Sequence, residues 1–165
     1  MSITIQYLQD SGNGNAFATV NGMPKAGAGV VCTAYTGTPA QQWIAAQYPG
    51  TDKSNSGGVV FVLYYGGKAT SQLVITAQGC QQPVILQPFQ QYNLSQLWSY
   101  AGAGSALVNL ATGCVLDLSG GNPNGGVVQT WPSVNNANQQ WSLVTEDDAV
   151  LFAREAETKE ALVAG

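Results

Sequence analysis

Histidine is absent from the 165 residues, and only 8% of them are charged. Each scarcity excludes a class of chemistry. Without histidine, the side chain that most often serves as general base near neutral pH is missing. The three cysteines, Cys32, Cys80 and Cys114, are far apart in sequence, so no zinc-knuckle spacing exists and no metal site is expected. Five basic residues form no stripe that could neutralise a phosphate backbone, which argues against nucleic-acid binding. No apolar run is long enough to span a bilayer, so membrane insertion is not expected. Residues 1–145 carry only Asp10, Asp52 and Asp117 against Lys25, Lys53 and Lys68. No close pair of carboxylates for glycosidase chemistry is visible there. These absences predict a protein that is not an enzyme and needs no cofactor.

The remaining six carboxylates crowd into the last twenty residues, beside Arg154 and Lys159. The body of the chain is instead rich in Gly, Asn, Gln, Ser and Thr, which make neutral, directional hydrogen bonds. Such a surface suits an uncharged polyhydroxylated ligand, although many globular surfaces are polar without being charged. An apolar fraction of 45% and a length of 165 residues fit one domain with one core. The N-terminal Met1-Ser2-Ile3-Thr4-Ile5 has neither a basic start nor a continuous apolar run, so no signal peptide is expected. Three cysteines cannot all pair within one chain, and free thiols in a reducing cytoplasm are the simplest account. That predicts a cytoplasmic protein, released, if at all, by a non-classical route. Asn93-Leu94-Ser95 has the form of a glycosylation acceptor, which that location makes a chance match.

Self-similarity gives the fold. Gln41-Gln42-Trp43, Gln96-Leu97-Trp98 and Gln139-Gln140-Trp141 repeat one pattern, Gln-x-Trp, with the tryptophans 55 and 43 residues apart. Each motif closes a block of four short runs that are β-branched, aromatic or alternating, bounded by Gly, Asn and Pro. The runs are 3–8, 16–20, 30–35 and 42–48; then 58–65, 72–76, 84–89 and 97–101; then 106–110, 114–118, 127–131 and 140–144. Twelve short strands in three equivalent blocks (about 1–48, 49–101 and 102–145) predict an all-β closed barrel with threefold pseudosymmetry, a β-trefoil. Trp43, Trp98 and Trp141 are expected to be core rather than ligand contacts. Residues 146–165 form a separate charged tail. Thr145-Glu146-Asp147-Asp148 has the pattern of a capping box, and Glu155 and Lys159 stand four apart in the favourable order. A short helix is predicted, with a strand over 150–153 as the alternative, docking its apolar residues on the trefoil or on a partner chain.

Three Gln-x-Trp repeats resemble the ricin-B-type β-trefoil lectins, over about residues 1–145. The third repeat is the most similar, through Thr112-Gly113-Cys114-Val115-Leu116-Asp117-Leu118-Ser119-Gly120, Asn124 to Trp131, and Asn138-Gln139-Gln140-Trp141. The missing leader and the lack of two cysteines within any repeat make it most similar to the intracellular fungal members. The resemblance implies a lectin or hemagglutinin for galactose or N-acetylgalactosamine. Its partners would be glycans and glycoproteins. It also assigns roles. Asp117 resembles the carboxylate that accepts from two sugar hydroxyls, and Trp131 the aromatic platform under the sugar's apolar face. Asn138 resembles the amide on a ring hydroxyl, Gln139 the residue that steadies the aspartate, and Gln129 a contact to the exocyclic hydroxyl. The plainer alternatives are that Asp117 caps a turn and that Trp131 is core.

The other two repeats lose the carboxylate. Counting back from Gln41 places Thr19 opposite Asp117, the Ala34-Tyr35 pair near Trp131, and Ala40 opposite Asn138. A register one residue along brings Asn21 and Tyr35 into the two key roles, as a second, weak site. In the second repeat Ile75 falls opposite Asp117, Gln87 and Phe89 resemble Gln129 and Trp131, and Ser95 replaces Asn138. One good site per chain is therefore expected, with a homo-oligomer, such as a dimer, supplying multivalency. The competing reading is a β-trefoil protease inhibitor acting through one surface loop. A third is a carbohydrate-targeting domain of a larger hydrolase.

Overall fold

The computed structural model describes residues 4–48, 58–65 and 68–164. Among the described residues there are twelve strands and one α-helix, the strands within a residue or a few of where the alternation placed them. The first repeat holds β1 (Tyr7–Asp10), β2 (Phe17–Val20), β3 (Val30–Thr33) and β4 (Trp43–Tyr48). The second holds β5 (Gly58–Tyr65), β6 (Lys68–Thr76), β7 (Ile85–Pro88) and β8 (Trp98–Tyr100). In the third are β9 (Leu107–Asn109), β10 (Val115–Leu118), β11 (Gly126–Trp131) and β12 (Trp141–Val144), followed by α1 (Glu146–Ala164). The first predicted run begins at residue 3, which lies outside the described residues.

The outer strands of the repeats close a six-stranded barrel. β1 pairs with β12, β4 with β5, and β8 with β9, all antiparallel. Within each repeat the first and fourth strands meet at the tryptophan, through Gln6↔Trp43, Val59↔Trp98 and Ser105↔Trp141. The inner strands form three hairpins, β2–β3, β6–β7 and β10–β11. They cap the barrel in a closed triangle, joined at Gly29↔Ile85, Pro83↔Gln129 and Val127↔Val31. A closed barrel leaves no strand edge of its own exposed.

Trp43, Trp98 and Trp141 are fully buried in the main core, as their repetition predicted. Each indole Nε1 donates to the carbonyl of one hairpin strand: Trp43 to Ala18 (3.0 Å), Trp98 to Ile75 (3.3 Å) and Trp141 to Leu116 (2.9 Å). Burial therefore leaves no indole donor unsatisfied. These three bonds also fix the correspondence between repeats, because Ala18, Ile75 and Leu116 become equivalent positions.

The helix begins where the capping pattern placed it, with the Asp148 amide donating to Thr145 Oγ1 at 3.2 Å. It docks on the trefoil through buried Ala149 and half-buried Phe152. These pack with Tyr7, Phe17, Tyr35 and Val144. The expectation of three free thiols is corrected. Cys80 and Cys114 form a disulfide that joins the second repeat to the third, and only Cys32 is free, buried in the core. Counting cysteines within each repeat missed a bond that crosses between repeats, and the case for a cytoplasmic location that rested on free thiols loses that support.

Candidate functional site

Asp117 lies in β10, directly opposite Gln129 of β11, and Trp131 is two residues further along β11. Cross-strand partners and residues two apart share one face of a hairpin, so the three side chains converge by strand geometry alone. Their burial is graded. Asp117 is 5% exposed, Gln129 is half-buried, and Trp131 is 37% exposed. Trp131 is thus a surface ring and not core, while Val128 and Thr130 of the same strand point inward and are buried.

The carboxylate is held from both sides. Gln129 Nε2 donates to Asp117 Oδ1 at 3.1 Å, and Gln139 Nε2 donates to Asp117 Oδ2 at 3.0 Å. Gln139 is itself locked: its Nε2 also donates to Pro132 O (3.0 Å) and its Oε1 accepts from the amides of Val134 (2.8 Å) and Asn135 (3.2 Å). Each carboxylate oxygen accepts one hydrogen bond within the protein and retains capacity for another. Two fixed acceptor positions beside an exposed indole have the chemistry to meet vicinal hydroxyls on a ring with an apolar face. The turn-cap alternative for Asp117 fails, since its carboxylate is held by two glutamine side chains instead of by turn amides.

Asn138 stands in the short 3-10 turn Ala137–Gln139 and is half-buried. Its Oδ1 accepts from Asn13 Nδ2 at 3.2 Å, which leaves its own Nδ2 as the donor end of the amide. Asn13 was not anticipated from the sequence. It belongs to the first repeat, and closure of the barrel by β1 and β12 brings it to the third. Gly12 permits this approach, because a Cβ there would lie 2.2 Å from Ala137 O. The other hydrogen of Asn13 Nδ2 goes to Asp10 Oδ1 at 3.0 Å. Asp10 is fully buried, and its Oδ2 has no hydrogen-bond partner. Burial is the main force pushing its carboxyl up to about 7, and the nearby Asp117 charge adds to it. Two carboxylates of the chain body therefore do lie near each other, contrary to expectation, but one is sealed in the interior.

The framework glutamines repeat the same clamp elsewhere with different partners. Gln41 Nε2 donates to Thr19 Oγ1 (3.1 Å) and Gln96 Nε2 to Thr76 Oγ1 (3.2 Å). Thr19 therefore takes the place of Asp117 in the first repeat, as counted from the sequence. In the second, the residue is Thr76 and not Ile75, whose carbonyl instead receives the indole. The strand registers put Thr33 and Gln87 where Trp131 stands, and Val31 and Ile85 where Gln129 stands. This corrects the assignment of Gln87 and Phe89. Asn21 and Tyr35 are not brought together. Asn21 bonds Gly29 at the turn end of the β2–β3 hairpin, whereas Tyr35 follows Thr33 at the other end. The Tyr35 ring packs edge-on against Tyr7 and Phe17, and its hydroxyl donates to Glu146 Oε1 at 3.2 Å. It is part of the seat of the helix.

Among the described residues, no group of three or more His, Cys, Asp and Glu is placed to hold a metal ion, and no helix is long and apolar enough to cross a membrane. No curated protein matches the chain by sequence. Solved structures do match it. The designed threefold-symmetric protein ThreeFoil superposes with a TM-score of 0.69 at 21% identity, covering 85% of this chain and 97% of its own. The C-terminal half of an earthworm R-type lectin, solved with GalNAc, gives 0.63 at 19% identity, covering 87% and 99%. The Rhizoctonia solani agglutinin gives 0.66 at 20% identity, covering 88% and 97%. Residues 88–162 match the family model described as ricin-type β-trefoil lectin domain-like. That segment contains β10, β11 and the Gln139 clamp, so the chain is a β-trefoil in which the part carrying Asp117 and Gln139 is similar to the ricin-type lectin-like family.

Proposed function

We propose that this protein is a lectin that binds galactose- or N-acetylgalactosamine-type glycans through Asp117, Gln129, Trp131, Asn138 and Gln139, without chemical turnover. The observation that carries the reading is the clamped Asp117 carboxylate beside the exposed Trp131 ring on one hairpin face. A carboxylate fixed by two amides meets a pair of hydroxyls without reorganising, and charge-assisted bonds of this kind are the stronger ones. Trp131 adds apolar contact at low entropic cost, and Asn138 contributes a donor whose orientation Asn13 sets. Binding without turnover is supported by the burial of Asp10, a carboxyl near Asp117, which leaves it out of reach of a glycosidic bond.

The test is calorimetric titration of methyl β-galactoside and N-acetylgalactosamine into the wild type, Asp117→Asn and Asp117→Ala. A single shallow site gives a Kd of roughly micromolar to millimolar, or about −4 to −8 kcal/mol. Both variants should lose at least about tenfold in affinity, with Asp117→Ala also removing an acceptor from the half-buried Gln129 and the buried Gln139 amides. Circular dichroism checks that they fold. Unchanged affinity in a folded Asp117→Ala sinks the assignment, and a glycan array run beside a protease panel separates it from the inhibitor reading.

A further inference from the structure

The helix does more than cover an apolar patch. Between α1, the turn after β1 and the β10–β11 loop lies a cavity of about 320 Å³, lined among others by Asn13, Asn15, Asn124, Phe152, Glu155 and Lys159. Asn13 is common to this cavity and to the Asp117 site, since it lines the first and donates to Asn138 in the second. Gly121 lies at the same junction, where an added Cβ would be 2.6 Å from Asn138 Oδ1 and 3.1 Å from Asn13 Oδ1.

The hydrogen-bond capacity of the lining is mixed and largely neutral. Both hydrogens of Asn13 Nδ2 are used, by Asp10 and Asn138, so its Oδ1 remains an acceptor. Asn15 Oδ1 accepts from the Tyr35 amide at 3.1 Å, so its Nδ2 remains a donor. Glu155 and Lys159 bring one charge of each sign, which disfavours a phosphate or any other strongly anionic ligand. Phe152 adds an apolar edge. The volume is at the small end of the range for small-molecule sites, about 300 Å³ upward, and suits a single ring. Phe152 and Ala149 anchor the helix in the cluster with Tyr7 and Phe17, so this wall is fixed in place.

We propose that the cavity is a second subsite, holding the next pyranose of a glycan whose galactose-type unit sits on Asp117 and Trp131. The helix then selects extended glycans over monosaccharides. This subsite rests on the Asp117 reading. It takes a neutral, hydroxyl-rich ring, with Asn13 Oδ1 and Glu155 accepting and Asn15 Nδ2 and Lys159 donating.

The test compares methyl β-galactoside with lactose and galactosyl-β1,3-N-acetylgalactosamine by titration into the wild type, Ala156→Trp, the Glu155→Ala/Lys159→Ala double variant and Asp117→Ala. Ala156 lines the cavity from the helix, and a tryptophan there fills it. The wild type should prefer at least one disaccharide by about tenfold. Ala156→Trp should abolish that preference and leave the monosaccharide affinity unchanged. The double variant, which adds no bulk, should weaken disaccharide binding severalfold, and thermal melts verify its fold. Equal affinity of the wild type for all three ligands, or a preference that survives Ala156→Trp, overturns the subsite while Asp117→Ala still abolishes monosaccharide binding. Binding of every ligand that ignores Asp117→Ala overturns the Asp117 site and the subsite with it.

Discussion

Asp10 is a carboxyl placed where its charge is poorly supported. Asn13 satisfies Oδ1, but Oδ2 is buried without a partner and Asp117 lies close enough to repel it. Burial, more than that repulsion, pushes its carboxyl up to about 7. An unfolded aspartate titrates near 3.9, roughly. Between those two values the folded protein keeps a proton that the unfolded chain has released. The contribution of this group to stability is therefore most favourable below about pH 4, falls as the pH rises, and levels off above about pH 7. Asp10→Asn removes the ionisation, and Asn109 shows that an amide suits the barrel at the equivalent place opposite a repeat tryptophan. Urea unfolding at pH 5 and pH 8 should show the wild type losing on the order of 1–3 kcal/mol across that range. Asp10→Asn should lose less and be the more stable of the two at pH 8. A wild type as stable at pH 8 as at pH 5, with no gain from Asp10→Asn, would mean that the buried carboxyl is solvated in solution.

At the scale of elements, the hairpin that carries the site is tied to its neighbour by covalent and backbone bonds. Cys114 stands just before β10, and its bond to Cys80 spans 34 residues of sequence. Thr130 of β11 exchanges backbone hydrogen bonds with Gln81 and Gln82 on the same neighbouring loop, both at 2.9 Å. A cross-link closing a loop of that length is worth about 3–4 kcal/mol by chain entropy. Reduction, or the Cys80→Ser/Cys114→Ser variant, should lower Tm by roughly 10 °C in a domain of this size. A melting curve indifferent to reductant would remove the disulfide from the stability of the fold. The sequence could not show this bond, because its partners are neighbours only once the hairpins form their triangle. Strands, by contrast, were legible from local alternation and turn residues, which act within a few positions. Strand registers were legible only in part. Thr19 was placed correctly by counting, but the second repeat was read one residue off, at Ile75 instead of Thr76. The Trp98 bond to the Ile75 carbonyl and the Gln96 bond to Thr76 fix that position. The third-repeat cluster was readable because Asp117, Gln129 and Trp131 lie on one hairpin, whereas Asn13 arrives through ring closure from the far end of the chain.

For the whole molecule, threefold architecture must be reconciled with the single site proposed for it. The three glutamine clamps are alike, yet they grip a carboxylate only once. Thr19 Oγ1 donates to Phe17 O (2.8 Å) and accepts from Gln41, and Thr76 Oγ1 donates to Val74 O (3.0 Å) and accepts from Gln96. A hydroxyl committed in both directions cannot replace two carboxylate oxygens, each with spare capacity. No aromatic platform accompanies them, since Thr33 and Gln87 take the place of Trp131. A sugar hydroxyl desolvated at those positions without a partner costs about 1–3 kcal/mol, enough to erase a shallow site. Titration with methyl β-galactoside should therefore give one site per chain. One site per chain makes cross-linking of cells a property of assembly, because avidity needs linked sites on one particle. Sedimentation measured beside red-cell agglutination should find the two inseparable: fractions that agglutinate contain dimers or larger species, and isolated monomers do not agglutinate. Agglutination by a strictly monomeric fraction, or two or three sites per chain, would place a working sugar site in the first or second repeat despite its missing carboxylate.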